Sequence, residues 1–402
     1  MQSSSSEPLR RNRDYRLLWL GQTLSQVGSN ASNLAYPLAA LALTGSPARA
    51  GLVGAANWLP YLLFQLVAGA FVDRWNRRAT MLVCDGLNAA AVGSIPVAYA
   101  FGALSFWQLL VVAFADRTLS TFFAPAEASA LARIVPPERY AEAVGRNDAR
   151  EHVASLAGPP LGGALFGLAI YAPFVADATS YAVSFGAIAA LRAPLAAPPA
   201  ERRRLRAEVL EGLRFIWAVP FLRASLLQAA GTNLTWSATT LTMIFVAHAN
   251  GASGAAIGVM FVLLGAGGIL GSLASRRLLA RLSLPAIVLG IMWIWAVLIA
   301  LLTTTTDPFA LGAIAGAAMF LAPTWNGGVV GKTMSLTPDA LRGRVSAADA
   351  LLSFGLRPVA LLAAGWLDEA HGGRVTFLAV AAWTLLIAVL STLSPSLRHE
   401  PA

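Results

Sequence analysis

The stretch Gly69–Arg78, GAFVDRWNRR, gathers four charges into ten residues, in a chain where only 12% of 402 residues are Asp, Glu, Lys or Arg. It is flanked by GLVGAANWLPYLLFQLVA (51–68) and ATMLVCDGLNAAAVGSIPVAYA (79–100), which between them carry a single charge, Asp85. A charged turn between two apolar runs of this length must stay in water while the runs stay in a less polar solvent. Lipid is that solvent, because roughly 20 apolar residues suffice for one helix across the hydrocarbon layer.

The rest of the chain repeats the pattern. It is 57% hydrophobic, with mean hydropathy +0.63, and a soluble protein of this size would carry far more surface charge. About twelve span-length runs follow one another, centred near Gln26, Tyr61, Ala91, Phe114, Leu156, Ser184, Thr232, Leu263, Trp293, Gly316, Leu356 and Thr384. No polar stretch between them is large enough to bury a core of its own. The expected fold class is therefore an all-α integral membrane protein.

Charge placement sets the orientation. With the N-terminus inside, the cytoplasmic segments hold 25 of the 29 basic residues. Arg49 and Arg374 fall in outer loops, and Arg117 and Arg357 fall within spans. This alternation is the positive-inside rule. It explains the net charge of +9 without nucleic acid, and it places both termini in the cytoplasm of a bacterial inner membrane. Residues 1–16 lack the short apolar core of a cleaved leader, so the first span is expected to remain. The lone Cys84 cannot form an internal disulfide.

The chain also repeats itself. Gly69-x-x-x-Asp73-Arg74 returns as Gly271-x-x-x-Ser275-Arg276, Ala124-Pro125 as Ala322-Pro323, and Pro137-Glu138 as Pro338-Asp339, each about 200 residues on. The polar stretch between the halves is first Pro/Ala-rich and then basic and helical in pattern. The expected organisation is a cytoplasmic segment (1–16), a six-helix bundle (17–191), a linker (192–213), a second six-helix bundle (214–394) and a tail (395–402). Repeats of this kind imply a transporter with its substrate site between the halves, near the bilayer midplane.

Gly69, Asp73, Arg74, Arg77 and Arg78 resemble the signature G-x-x-x-D-R-x-G-R-R of the major facilitator superfamily, with Asn76 where that pattern has its second glycine. The resemblance implies that Gly69 permits close helix approach and that Asp73 latches the inner gate against the N-terminus of the eleventh span. Ordinary topology-setting charges are the alternative. Gly145, Gly158, Pro159, Gly162 and Gly163, with Ala154 replacing one glycine, look like the fifth-span motif of the superfamily's antiporters. That motif implies export and close packing of helices from the two halves; a generic glycine-rich packing face is the alternative. The start of the chain and FFAPAEASALARIVPPERYAEAVG (122–145) are similar to the branch holding the enterobactin exporters and macrolide efflux pumps. That branch often carries an acid after the first-span glycine, where Ser29 follows Gly28 here.

Charges at bilayer depth are costly and mark functional candidates. The coupling candidates are Asp116 and Arg117 in the fourth span, Arg357 in the eleventh and Asp85 in the third. Arg117 resembles the fourth-span arginine that the superfamily associates with proton transfer; a static ion pair is the alternative. Asp85 is placed to answer Arg77 or Arg78, and Asp177 reads as a charge near a helix N-terminus. Arg357 needs Asp116, Asp349 or an anionic substrate as partner. Gln22, Gln26, Asn33, Gln228, Asn233, Trp236, Trp325 and Asn326 are candidates to line the substrate cavity.

The leading reading is a proton-coupled exporter of small amphipathic or anionic compounds, acting as a monomer without metal or cofactor. Uptake or lysolipid flipping by the same fold is the alternative. The four histidines are scattered, and no Cys/His cluster, nucleophile elbow or phosphate-binding loop appears, which weighs against a membrane enzyme, an ATP-driven pump or a sensor. The latch reading makes a direct prediction. Asp73→Asn should abolish export while membrane insertion, followed by immunoblot of isolated membranes, stays normal. Export at the wild-type rate from well-inserted protein would reject it.

Overall fold

Asn76 opens the third helix with its own side chain. Its Oδ1 accepts from the Ala79 N–H at 3.1 Å, and its φ of −66° is one that any residue can adopt. The turn after Arg74 therefore has no need of the glycine that the motif carries there. Similar caps start other helices: Ser105, Ser253 and Asp307 each accept from the N–H three residues on. Such side chains satisfy donors that a helix start leaves open.

The structure, a computed structural model, describes residues 8–72, 74–195 and 205–398. Asp73 lies outside the described residues, as do 1–7, 196–204 with their linker arginines, and 399–402. The described residues are helical, with no strand. The elements are α1 Arg13–Thr44, α2 Pro47–Val72, α3 Arg77–Ala100, α4 Phe106–Ile134, α5 Tyr140–Leu168 and α6 Ala172–Ala189. There follow α7 Leu205–Ala218, α8 Pro220–Ala249, α9 Gly254–Arg281, α10 Leu284–Leu301, α11 Pro308–Met319 and α12 Ala322–Leu336. The chain ends in α13 Arg342–Gly355, α14 Arg357–His371, α15 Gly373–Leu393 and α16 Pro395–Arg398.

Among the described residues, seven segments are long and apolar enough to cross a membrane: α3, α4, α9, α10 with its short extension, 308–336, 339–371 and α15. Large apolar side chains such as Val83, Trp107, Leu273, Val297 and Leu393 lie exposed along them, as lipid-facing surfaces require. Two of the seven are broken. Pro323 and Pro358 each stand at the start of a new helix after a short interruption, because proline lacks the N–H that would continue the ladder. Arg357 thus sits at a break rather than inside a continuous helix.

The chain divides into two compact units, Met1–Tyr36 with Leu59–Arg203, and Pro37–Trp58 with Arg204–Ala402. In the first, α5 packs on α1 through glycines. A Cβ on Gly158 would overlap the Asn30 side chain, and one on Gly162 would overlap the Ala31 carbonyl. The GPPLGG stretch therefore meets α1 of its own unit. Gly145 and Gly69 have open space where a Cβ would go, so neither is held by close approach to a neighbour.

In the second unit Gly51 lies against α14, where a Cβ would come within 2.5 Å of the Leu361 carbonyl oxygen. Nearby, Glu369 accepts from the Ala48 N–H at 3.0 Å and from the Ser46 hydroxyl, capping the start of α2. The glycines of α9 and α11 let those helices touch, Gly267 on Gly316 and Gly312 on Met260. Gly271, the repeat partner of Gly69, abuts the Phe320 backbone. α7 packs on α13, where Arg344 and Glu211 pair at 2.6 Å.

The glycine contacts generate a graded test. Gly158→Val and Gly162→Val should destabilise the protein by about 1–3 kcal/mol each or more, the usual cost of overpacking, with Gly145→Ala near neutral. Thermal unfolding of detergent-purified variants checks this; equal melting temperatures would show that α5 and α1 can separate freely.

Candidate functional site

Along α1, Ser29, Ser32, Asn33 and Tyr36 recur at spacings of three and four and so share one face. Asp177, Ser180, Tyr181 and Ser184 do the same along α6. The two faces meet over Gly28, where a Cβ would come within 3.0 Å of an Asp177 carboxylate oxygen and overlap Ser180 more closely still. At Gly21, one heptad earlier, an added Cβ would come within 3.0 Å of the Ala187 side chain. Small residues thus bring a polar seam together in the interior of the first unit.

Two carboxylates occupy this seam. Asp177 is completely buried and Asp116 of α4 is 3% exposed. Tyr181 donates to Asp116 Oδ1 at 2.6 Å and Tyr36 to Oδ2 at 3.2 Å. The Ser29 hydroxyl lies 2.9 Å from the Tyr181 oxygen and 3.2 Å from Asp177 Oδ1. Ser32 donates to Asp177 Oδ2. Tyr36 is pinned by the Phe174 ring at a centroid distance of 5.1 Å. Arg117, about 100° further round α4, donates to Asn33 Oδ1 at 3.2 Å.

Asp177 is therefore not a charge at a helix start. It stands in the second turn of α6, buried against α1, which comes close there because Gly28 has no Cβ. Its Asp-x-x-Ser-Tyr-x-x-Ser spacing was the sequence signal for this role. Asp85 also differs from expectation. It is 2% exposed and faces Ser184, while Arg78 donates to the Ala189 carbonyl. Seven residues of helix separate Arg78 from Asp85, about 10 Å along the axis.

A second ionic pair was missed in the sequence. Glu127 of α4 and Arg150 of α5 pair at 2.8 Å, with side chains 11% and 3% exposed, and Arg150 Nε also reaches Gln26 Oε1 at 3.2 Å. Glu127 follows Ala124-Pro125 closely in a stretch without other acids, which was its signal. In the second unit Arg357 donates to Asn233 Oδ1 at 2.9 Å. Its guanidinium lies 4.3 Å from the Trp58 ring centroid and 4.6 Å from that of Phe354.

Gln22, Gln228, Trp236 and Trp325 are engaged within their units. Gln22 donates to Ser184 at 2.6 Å and Gln228 to Ser391 at 3.0 Å. Trp236 and Trp325 flank Trp295 at 5.7 and 6.4 Å in one aromatic cluster. Asn326 is exposed. Gly163 and Pro159 lie in α5 beside the glycines already described. Among the described residues no group of three His, Cys, Asp or Glu side chains could hold a metal ion.

The described residues form apolar, span-length helices with carboxylates buried among them, the build of a polytopic membrane protein. The family model of the Major Facilitator Superfamily matches residues 18–356, and the chain belongs to that superfamily. It is 30% identical to the multidrug efflux pump Tap of Mycobacterium tuberculosis, over 95% of this chain and 94% of that protein. Macrolide efflux protein A of Streptococcus pyogenes is 24% identical over 37% of each chain. Among solved structures, a bacterial homologue of the human lysosomal transporter Spinster, inward-facing and unoccupied, superposes with a TM-score of 0.70 at 20% identity. That match covers 99% of this chain and 100% of the other.

The buried Glu127–Arg150 pair gives a stability prediction. Glu127→Leu should cost about 3–5 kcal/mol by stranding the guanidinium, and Glu127→Leu with Arg150→Met should recover most of it. Denaturant unfolding in micelles reads both; a double variant no more stable than the single one would contradict the pairing.

Proposed function

We propose that the chain is a proton-coupled exporter of small amphipathic compounds, drugs or antibiotics among them, working by alternating access in the bacterial inner membrane. The observation that carries this reading is the near full-length similarity to multidrug efflux pumps. The fifth-span glycines and the buried Asp116 support it. In this reading twelve spans form two six-helix bundles, both termini are cytoplasmic and the monomer is the working unit. Arg74, Arg77, Arg78 and Asp73 serve the inner gate.

A proton can drive transport only if its binding shifts the balance between inward and outward states. Asp116 suits that task. It is a carboxylate at membrane depth, held by two tyrosine hydroxyls and adjacent in sequence to a permanent cation. Arg117 and Arg357 each rest on an asparagine of α1 or α8, positions from which charge can be offered to an anionic group.

Everted vesicles given a panel of fluorescent drugs in the external medium, with and without a pH gradient, test the reading. Uptake that requires the gradient supports it, and accumulation indifferent to the gradient refutes it. Asp116→Asn should abolish gradient-driven export while equilibrium binding of the exported dye persists. At Arg117 and Arg357, Lys should retain more activity than Gln. Undiminished coupled flux in Asp116→Asn would remove Asp116 from the coupling site.

A further inference from the structure

Two features of the first unit remain unused by this reading: Asp177, which Tyr181 separates from Asp116, and the serines between α1 and α6. Both carboxylates are nine-tenths or more buried, and an unbroken run of hydroxyls connects them. The steps are Asp177 Oδ1 to Ser29 at 3.2 Å, Ser29 to Tyr181 at 2.9 Å, and Tyr181 to Asp116 Oδ1 at 2.6 Å. Each hydroxyl in such a run has one proton to give and lone pairs to accept with.

The groups around the pair set its charge. From α1 come Ser29, Ser32, Asn33 and Tyr36; from α4, Asp116 and Arg117; from α6, Ser180 and Tyr181. α3 also packs on α6, but its Asp85 faces Ser184, and Arg150 of α5 is taken by Glu127. The seam thus holds two carboxylates and one guanidinium. With both acids ionised it would bury a net negative charge in hydrocarbon, which is costly. With one proton aboard it is neutral.

We propose that Asp177 and Asp116 form a single proton-carrying pair, joined by Ser29 and Tyr181, and that Asp177 is a second coupling residue of this transporter. In one state Asp177 is protonated and Asp116 ionised, with Ser29 donating to Tyr181 and Tyr181 to Asp116. The proton of Asp177 passes to Ser29, that of Ser29 to Tyr181, and that of Tyr181 to Asp116. Asp177 ends ionised, Asp116 ends protonated, each hydroxyl regains a proton, and the total charge is unchanged. Two carboxylates coupled this closely titrate as a pair rather than as separate sites.

This inference rests on the reading of the chain as proton-coupled, and infrared spectra of the purified full chain test it without any substrate. The carboxyl C=O band is followed as a function of pH in wild type, Asp177→Asn, Tyr181→Phe and the double variant. Asp177→Asn should move the titration midpoint of the Asp116 band by about one pH unit or more. The Tyr181→Phe background should shrink that displacement, since the hydroxyl that transmits it is gone while the ring remains. An Asp116 midpoint indifferent to Asp177, or a displacement that survives Tyr181→Phe intact, overturns the pair. If Asp177→Asn fails to fold, Ser29→Ala and Tyr181→Phe still interrupt the run. Either must then alter the Asp116 midpoint, and a wild-type midpoint in both overturns the pair. Everted-vesicle export in wild type fails separately: flux independent of the pH gradient sinks the proton-coupled reading, whatever the spectra show.

Discussion

An ionised group inside a bilayer must be neutralised or hydrogen-bonded, because hydrocarbon offers it nothing. That constraint arranges this molecule at two scales. Along the chain it keeps most arginines out of the apolar runs and in the polar turns between them. Within the first unit it draws charges that stay at depth into hydrogen-bonded or ion-paired networks: Asp116 and Asp177 among hydroxyls, and Glu127 against Arg150.

The helix geometry follows from the same requirement. Polar side chains at spacings of three and four make one wet stripe on α1 and another on α6, and a seam of two such stripes is stable only if the backbones come close enough for the stripes to bond. Gly21 and Gly28 permit that approach on one side of α1, while Gly158 and Gly162 permit the approach of α5 on another. α1 is thus held between glycine contacts, with its hydroxyls fixed toward the carboxylates. A helix so placed can report the protonation of the seam to whatever it packs against, which is what coupling asks of it.

The fold class was legible because it depends on composition and period, and lipid makes both extreme. The charged turn at Gly69–Arg78, the glycines of GPPLGG and the repeat all pointed to one superfamily, and the family match agrees. The site was legible only in part. Asp116 and Arg117 stand out as charges in an apolar run, whereas the role of Asp177 depends on a neighbour about 150 residues away in sequence. Arg357 is visible as a charge, but its seat between Trp58 and Phe354 joins a residue of α2 to the break before α14, which no local pattern shows. The glycines of α5 were recognised, and their partner is α1, where Asn30 and Ala31 lie against them. Gln22 and Gln228, read as cavity residues, each bond a buried serine.

If the buried carboxylates exchange protons for substrate, an exported dye added to purified wild-type protein in weakly buffered solution should release protons on binding, read with a pH indicator. The release should disappear when the solution pH is high enough for the protein to have lost those protons beforehand. Saturating dye binding with no proton release at any pH where the protein is folded would rule that exchange out.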